Sequence, residues 1–483
     1  MKPVRLLGYA PDAAPTIIGV LTNCSGVVPS LKGMKGAPSP ASTGFQALSG
    51  TCQGAAVLAK LDNSTRFFAG APTKIFEANG TAWTDVSRAS SYTPNSTQRW
   101  RFAQFGNVSI ATSGNDTVQA SASTAFADIA GAPVAGIVET VNQFVFAFNT
   151  DVAADAWHCC AIGDHTNWVP SIATQSARGR LTATPGPIVG GRRFGDAIIA
   201  YKQKSMYLGF YVGPPVIWGF TQIPGDAGAM SHESIVNIGT PENPKHIFMG
   251  SEDFYLYDGA KPIPIGTNRV KVQVFGQLLQ SRFYTCSSLH DRKNSLVYFY
   301  YPVADSSLPD HCVVYNYRTD SWGVDDRQIE IPVEYVTPGI TYDSLGNTYS
   351  TYDSLPSLPY DLAFLNPMSF IPAIFDLSHT VKTLTGAAAS SSITTGDLGA
   401  DMDFLTLSRV RPRFLIKPTS ATMVNSWRNN LGDSLTADVA VALSSFGTFD
   451  SMRDARWHRF MMSFVGDWEM ADFLPEFMSS GSE

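Results

Sequence analysis

This sequence has no long hydrophobic run and few charged residues. Its beginning does not resemble a secretory leader. No apolar run approaches the about 20 residues that a helix needs to cross a bilayer, so membrane insertion is not expected. The apolar stretch 16–21 is short and follows Asp12, unlike the hydrophobic region of a secretory signal. Charged residues make up only 16% of the 483 residues, against about 25% in typical soluble domains. The 34 Lys and Arg against 41 Asp and Glu give a net charge of −7, which argues against a basic nucleic-acid-binding chain.

Motifs of common catalytic chemistry are also missing. The sequence has no GxSxG, HExxH, GxxxxGK[ST] or strand-to-helix GxGxxG pattern, so we predict that it is not an enzyme and binds no cofactor. Its six cysteines are scattered without a CxxC pair, which predicts a reduced protein. Four residues come nearest to a metal-ligand group, but their spacing matches no zinc pattern, and no metal is expected. They are His158, Cys159, Cys160 and His165.

The most informative pattern is a repeat of short apolar runs separated by turns. The 40 glycines and 30 prolines interrupt the chain too often for long helices. Each unit holds two apolar runs with a turn between them, and often a tryptophan after a second turn. The spacing of about 40–50 residues is typical of propeller blades. The six units are residues 67–86, 107–128, 144–169, 196–220, 246–265 and 296–323.

We therefore predict an all-β chain built around a β-propeller, with six blades favoured and seven possible. A seventh blade would use residues 349–364. Stacking the blades in a ring covers both the sheet edges and the apolar faces of each unit. Trp83, Trp168, Trp218 and Trp322 are predicted to be buried between strands or blades. A stack of β-sandwiches fits the same alternation and is the alternative architecture.

The two ends of the chain differ from the repeats. The beginning is rich in turns and predicts an extended arm, and the Ala/Ser/Gly-rich stretch 386–401 predicts a flexible loop. Near the end, His458, Phe460 and Met462 share one face of an alternating run, which predicts a small β-sandwich. The predicted organisation is an N-terminal arm (1–45), a propeller (46–364), a connecting segment and loop (365–404), and a C-terminal sandwich (405–483).

Three stretches are informative through their order along the chain. Residues 8–40 read GYAPDAAPTIIGVLTNCSGVVPSLKGMKGAPSP, residues 192–239 read RRFGDAIIAYKQKSMYLGFYVGPPVIWGFTQIPGDAGAMSHESIVNIG, and residues 453–477 read RDARWHRFMMSFVGDWEMADFLPEF. In this order they resemble the opening arm, the middle and the closing strands of the tail nozzle proteins of short-tailed bacteriophages. These are also called tail tubular or packaged-DNA stabilisation proteins.

This resemblance implies a structural virion protein with no catalytic residues. It implies a homohexameric ring at the distal end of a short tail, assembled in the host cytoplasm. The ring would attach to the tail adaptor (head-to-tail connector) protein, support a tail fibre or spike protein, and extend and close the channel for genomic double-stranded DNA. A neutral or acidic bore would let DNA slide, so the candidate channel-lining residues are Asp226, Asp397 and Asp401.

Two other functions stay open. One is a non-viral propeller binding module, because YNYRTDSWG at 315–323 resembles the ending of kelch repeats. The other is a surface-glycan hydrolase, which needs two facing carboxyl groups. The carboxylate groups Asp325-Asp326 and Asp401/Asp403 are the candidates for such an acid/base pair. A basic cluster could hold phosphate, although a solvated or interface loop is the simpler explanation. It consists of Arg178, Arg180, Arg192 and Arg193.

Overall fold

The computed structural model describes residues 3–93, 97, 99–336 and 370–482. These residues form 42 strands, one short α-helix at Lys271–Gln277 and one 3₁₀ helix at Gln280–Thr285. The prediction of an all-β propeller is confirmed. Within these ranges no helix combines the length and the apolar character that a membrane span requires.

The six predicted repeats form six blades, each an antiparallel meander of four strands. Blade 1 contains Gly54–Ala59, Thr65–Ala71, Lys74–Asn79 and Ala82–Asp85, and blade 2 contains Arg101–Phe105, Val108–Thr112, Gln119–Ser121 and Ala127–Asp128. Blade 3 contains Ala135–Val141, Phe144–Thr150, Ala153–Cys159 and Ala177–Arg180, and blade 4 contains Ile188–Phe194, Ala197–Lys202, Met206–Gly213 and Ile217–Gln222. Blade 5 contains Ile235–Asn237, His246–Met249, Phe254–Tyr257 and Ile263–Pro264, and blade 6 contains Ser287–Asp291, Leu296–Tyr301, His311–Asn316 and Ser321–Val324.

One further four-stranded sheet, the closing blade, completes the ring between blade 6 and blade 1. Its first strand contacts the first strands of both neighbours. Its outer strand comes from the beginning of the chain, where Ala41 pairs with Thr383. The segment expected from residues 349–364 lies outside the described residues. The strands of the closing blade are Ile331–Val336, Phe370–Phe375, Val381–Gly386 and Ser39–Ser42.

The blades are held together by apolar side chains that interlock between adjacent sheets. Phe146 and Phe148 of blade 3, for example, pack into one core with Ile198 and Trp218 of blade 4. Both faces of a blade are covered by neighbours, so inner strands such as Leu296–Tyr301 are buried at every position. Continuous apolar runs rather than strict alternation are the sequence signature of such strands.

The tryptophans after the turns are mostly buried, as predicted. Trp168, Trp218 and Trp322 are buried, and the Trp322 indole N–H donates to the Ile265 carbonyl at 3.3 Å. Trp83 differs, because it is only partly buried at the edge of the core between the closing blade and blade 1. Its ring packs against Phe45, with ring centroids 5.2 Å apart. The prediction is therefore confirmed for three of these four side chains.

The C-terminal part forms a sandwich of two sheets. One sheet continues blade 6 to ten strands, and the other has eight strands. Phe460 and Met462 of one sheet face Met470 and Phe473 of the other in a shared core. The continuation of the first sheet contains Val4–Arg5, Val27–Pro29, Met34–Gly36, Asp403–Ile416, Phe449–Ala455 and Glu469–Ser482. The second contains Gly8–Tyr9, Val20–Ser25, Ser391–Thr395, Leu398–Gly399, Ser420–Arg428, Thr436–Ala437, Val441–Ala442 and Trp457–Val465.

The N-terminal residues are not the extended arm that the turn-rich sequence predicts. Val27 pairs with Val324 at the outer edge of blade 6, and Met34 pairs with Met470 of the sandwich. Short apolar pairs such as Val27-Val28 are fully buried by these contacts. The beginning of the chain therefore joins the propeller to the sandwich within one continuous sheet.

The predicted connecting segment also needs correction over its described residues. Residues 370–386 supply two strands of the closing blade, and residues 391–399 supply two strands of the sandwich, where a flexible loop was expected. The small residues there permit close backbone approach rather than flexibility. A Cβ atom added at Gly396 would lie 2.2 Å from the Pro15 carbonyl oxygen.

Candidate functional site in the propeller tunnel

The main cavity of the propeller lies on its axis. The first strands of the blades surround it, and small residues such as Ala55 and Ala56 of blade 1 leave space between them. An outer cavity of about 450 Å³ adjoins an inner one of about 130 Å³. Arg192, Glu233 and Ser288 line both cavities. The two cavities therefore form one tunnel, to which every blade contributes.

Ion pairs bridge the blades across this tunnel. Arg101 of blade 2 donates two hydrogen bonds to Glu233 before blade 5, at 2.7 and 3.0 Å. Arg292 donates to Glu334 of the closing blade at 2.8 Å. The third pair is looser, because the nearest contact between Arg192 and Glu139 is 3.7 Å, beyond ordinary hydrogen-bond distance.

These pairs shift the titration of the tunnel carboxyl groups in opposite directions. Burial favours the neutral form of Glu233, but Arg101 outweighs it and lowers the pKa of this carboxyl. Burial raises the pKa of Glu139, and Arg192 offsets this only in part. Glu139 is thus protonated more readily than Glu233.

The histidines of the tunnel are uncharged at neutral pH. Burial, together with Arg192 and Arg101, lowers the pKa of His232 well below its usual value. Burial and the neighbouring Arg292 lower the pKa of His290 to about 4. The backbone N–H of Gly191 donates to Nδ1 of His232 at 3.3 Å, so the proton of this neutral ring is on Nε2.

Several polar atoms at the tunnel wall have no hydrogen-bond partner among the described residues. They are the hydroxyl oxygens of Ser287 and Ser288 and the Nδ1 atom of His290. Ser287 is only 4% exposed. Buried polar groups are normally hydrogen-bonded, so each exception needs an explanation.

Two of the three tunnel glutamates are held by arginines. Glycoside cleavage needs one protonated and one ionised carboxyl group facing each other at about 5–10 Å. Glu233 and Glu334 are instead neutralised by arginines that hydrogen-bond to them. Within residues 3–93, 97, 99–336 and 370–482, no three His, Cys, Asp or Glu side chains are grouped as a metal site would need.

The four residues that come nearest to a metal-ligand group in the sequence are part of blade 3. His158 hydrogen-bonds through Nε2 with the Trp168 carbonyl at 2.9 Å. Cys159 belongs to the core toward blade 4, whereas Cys160 belongs to the core toward blade 2. The two thiols therefore point to opposite faces of the strand, as expected.

The three candidate channel-lining aspartates are not near this tunnel. Asp397 needs correction, because its side chain is fully buried and accepts hydrogen bonds from Arg428 and Arg459 in the sandwich. A side chain enclosed in this way does not face a channel. Asp226 and Asp401 lie in exposed turns, and their role in lining a bore stays a prediction.

The sequence contained a partial signal for the tunnel. The basic cluster is visible in the sequence, and two of its four members, Arg192 and Arg193, line the tunnel. The other two lie on the outer strand of blade 3, where Arg180 pairs with Asp155 at 2.7 Å. The carboxylate partners were missed because they come from other blades, far away in sequence.

Comparison with known proteins adds little to this description. No family model and no curated protein sequence matches the chain. Among solved structures, YCF48 from Cyanidioschyzon merolae is similar at 9% identity over 62% of this chain and 93% of that chain, with a TM-score of 0.35. An exo-β-1,3-galactanase from Phanerochaete chrysosporium is similar at 8% identity over 91% of this chain and 99% of that chain, with a TM-score of 0.28. At these values neither similarity carries an argument about function.

Proposed function

We propose that this chain is a structural virion protein that forms the homohexameric nozzle ring of a short bacteriophage tail. The sequence resemblance to tail nozzle proteins suggests it. The observation that carries it is the distribution of exposed apolar side chains. Of the 26 large apolar side chains exposed among the described residues, 14 belong to the N-terminal segment or the sandwich. Large exposed apolar patches mark interaction surfaces.

The strongest such surface is at the end of the sandwich, and we call it the sandwich patch. Val439, Phe446 and Met452 are 86%, 85% and 76% exposed, and they are close together in the chain. Phe446 is at the tip of a turn that precedes the strand Phe449–Ala455. Because the Phe446 side chain is 85% exposed, it contributes little burial to the fold of one copy. We therefore expect it to pack against a neighbouring molecule.

A second surface, the hairpin patch, is on blade 4. Phe210, Tyr211, Val212 and Val216 are exposed around the turn between its third and fourth strands. A closed ring with more than two members needs a heterologous interface, in which two different surfaces of the chain meet. Two separate apolar patches satisfy this requirement.

In this proposal the ring acts mechanically. Six rigid propellers form the wall around genomic double-stranded DNA, and the net charge of −7 per chain disfavours tight phosphate binding. The tail adaptor protein and the fibre or spike protein would bind to other faces of the ring. The ring extends the channel and closes it until infection.

The oligomeric state of the full chain tests the proposal. We expect native mass spectrometry and negative-stain imaging to show a hexameric ring. Phe446→Ser combined with Met452→Ser should leave a folded monomer, whereas Leu61→Ser should still form hexamers. Leu61 is a matched control because it is similarly exposed but belongs to blade 1. A wild-type chain that stays monomeric at every concentration, or a double variant that still forms hexamers, would contradict the proposal.

The second candidate function is a propeller module that binds or cleaves a surface glycan in its tunnel. The specific observation in its favour is Glu139, whose raised pKa suits a general acid. New reducing ends released from bacterial surface polysaccharides would support cleavage, provided that Glu139→Gln abolishes them. Absence of any release would leave only the binding role.

A further inference from the structure

We propose that the inner cavity of the propeller tunnel binds a small oxyanion, a phosphate, sulfate or carboxylate group. This site is separate from the surfaces that would form a ring, and it does not depend on the tail proposal. The cavity measures about 130 Å³, well above the ~10–15 Å³ that a single water needs. It opens into the larger outer cavity through shared wall residues.

Arg192 supplies the positive charge. Its guanidinium group carries five N–H donors, yet within the part of the chain that the structure describes its nearest carboxylate is the Glu139 oxygen at 3.7 Å. Arg101 and Arg292, by contrast, hydrogen-bond directly to their own carboxylates. The Arg192 side chain is 34% exposed and lines both cavities. Its donors are therefore available to a ligand in the tunnel.

A neutral donor faces the same small space. His232 lines the inner cavity, with its proton on Nε2 as argued above. Ser287 and Ser288 also line it, but their hydroxyl oxygens are buried and do not reach the cavity. An oxyanion would accept hydrogen bonds from His232 and from Arg192. Charge-assisted bonds of this kind are the stronger ones.

The charge balance of the tunnel favours an anion over a cation. Four arginines and three glutamates line the two cavities, and both wall histidines are neutral. The surplus positive charge is that of Arg193, whose nearest carboxylate is the exposed Asp196 at 3.9 Å. Among the three ion pairs that bridge blades, that of Arg192 is the loosest. The arginines are Arg101, Arg192, Arg193 and Arg292, and the glutamates are Glu139, Glu233 and Glu334.

The oxyanion could be a free ion or an acidic group on a larger molecule. Isothermal titration of the full chain with sodium phosphate, sodium sulfate and sodium acetate at constant ionic strength tests the free ion. A second series with a sulfated, a carboxylated and a neutral oligosaccharide tests the attached group. Tighter binding of the acidic oligosaccharides than of the free ions would assign the ligand as an acidic glycan.

Variants separate the site from general charge effects. Arg192→Gln should weaken binding about tenfold to a hundredfold, the range expected for losing a charge-assisted hydrogen bond. His232→Phe should weaken it severalfold, because it removes the Nε2–H donor. Glu139→Gln should tighten binding, because it removes the competing carboxylate. Arg180→Gln is the control, because Arg180 is on the outer strand of blade 3.

Three results would overturn the proposal. One is no binding of any of these anions by the wild-type chain. Another is equal weakening by Arg192→Gln and Arg180→Gln, which would mean nonspecific attraction. The third is binding of the neutral oligosaccharide as tightly as the acidic ones. Far-ultraviolet circular dichroism shows whether each variant is folded. If Arg192→Gln is unfolded, tighter binding by Glu139→Gln still tests the proposal.

Discussion

Replacing Asp397 with alanine should destabilise the protein strongly. The Asp397 carboxylate is completely buried and accepts hydrogen bonds from Arg428 at 2.5 Å and from Arg459 at 2.9 and 3.1 Å. Both arginines are themselves largely buried. Removing the carboxylate would leave two positive charges without their counterion in a poorly solvated place, close to each other.

The magnitude follows from the general cost of breaking a buried ion pair. Removing one partner of such a pair costs about 3–5 kcal/mol, because the other charge is left uncompensated. Here one carboxylate serves two arginines, so we expect the upper part of that range. Asp401→Ala is the matched control, because Asp401 is four residues away and exposed. Surface substitutions usually change the free energy of unfolding by no more than about 0.5 kcal/mol.

Urea unfolding of the full chain, monitored by tryptophan fluorescence, measures the free energy of unfolding of both variants. The slope of the free energy against urea should be the same for all variants, so that a shift in midpoint reports stability. The reasoning is refuted if Asp397→Ala loses less than about 1 kcal/mol and behaves like Asp401→Ala. That result would mean that Asp397 faces solvent, as the flexible-loop interpretation of this stretch requires.

Three further outcomes follow from the same structure. Trp322→Ala should lower the free energy of unfolding by about 3–5 kcal/mol in urea titrations, whereas Trp83→Ala should cost clearly less because its ring is only partly buried; equal costs would contradict this. Burial lowers the pKa of His246 to about 3 and of His290 to about 4, so the unfolded chain takes up their protons first. Stability should therefore fall by ~1.4 kcal/mol per pH unit for each histidine from about pH 6.5 down to about pH 4, and a flat profile in pH-dependent urea unfolding would refute it. Deleting residues 1–30 should unfold the sandwich as well as prevent assembly, because this segment joins the sandwich to blade 6 through Val27. Unchanged circular dichroism and thermal unfolding of the deleted chain would argue against this.

The repeat was readable from the sequence because each blade is local. In blade 4, for example, strands of a few apolar residues follow one another within 188–222, with only turns between them. The period and the apolar runs are therefore visible as a pattern. Opposite orientation of Cys159 and Cys160 was also predictable, since alternation along a strand is a local property.

The closing blade was not readable, because its strands come from distant parts of the chain. Ser39–Ser42 is paired with Val381–Gly386, and no local pattern joins two segments so far apart. Distant pairing also explains why the sequence predicts an extended arm at the beginning of the chain. The short apolar pairs of the first 36 residues look like isolated anchor points until Val324 and Met470 are found opposite them.

The sequence by itself determined the all-β class, the six repeated blades and the burial of most turn tryptophans, because these depend on apolar spacing within a few tens of residues. Only the tertiary structure decided which charges meet. Arg192 is visible in the sequence as part of a basic cluster, but its distance from Glu139 and the cavity that it shares with Glu233 depend on three different blades facing one axis. Asp397 lies in a stretch whose composition predicts a flexible loop, but the fold encloses it between two arginines. Charge interactions depend on distance and burial in space, which spacing along the chain does not encode.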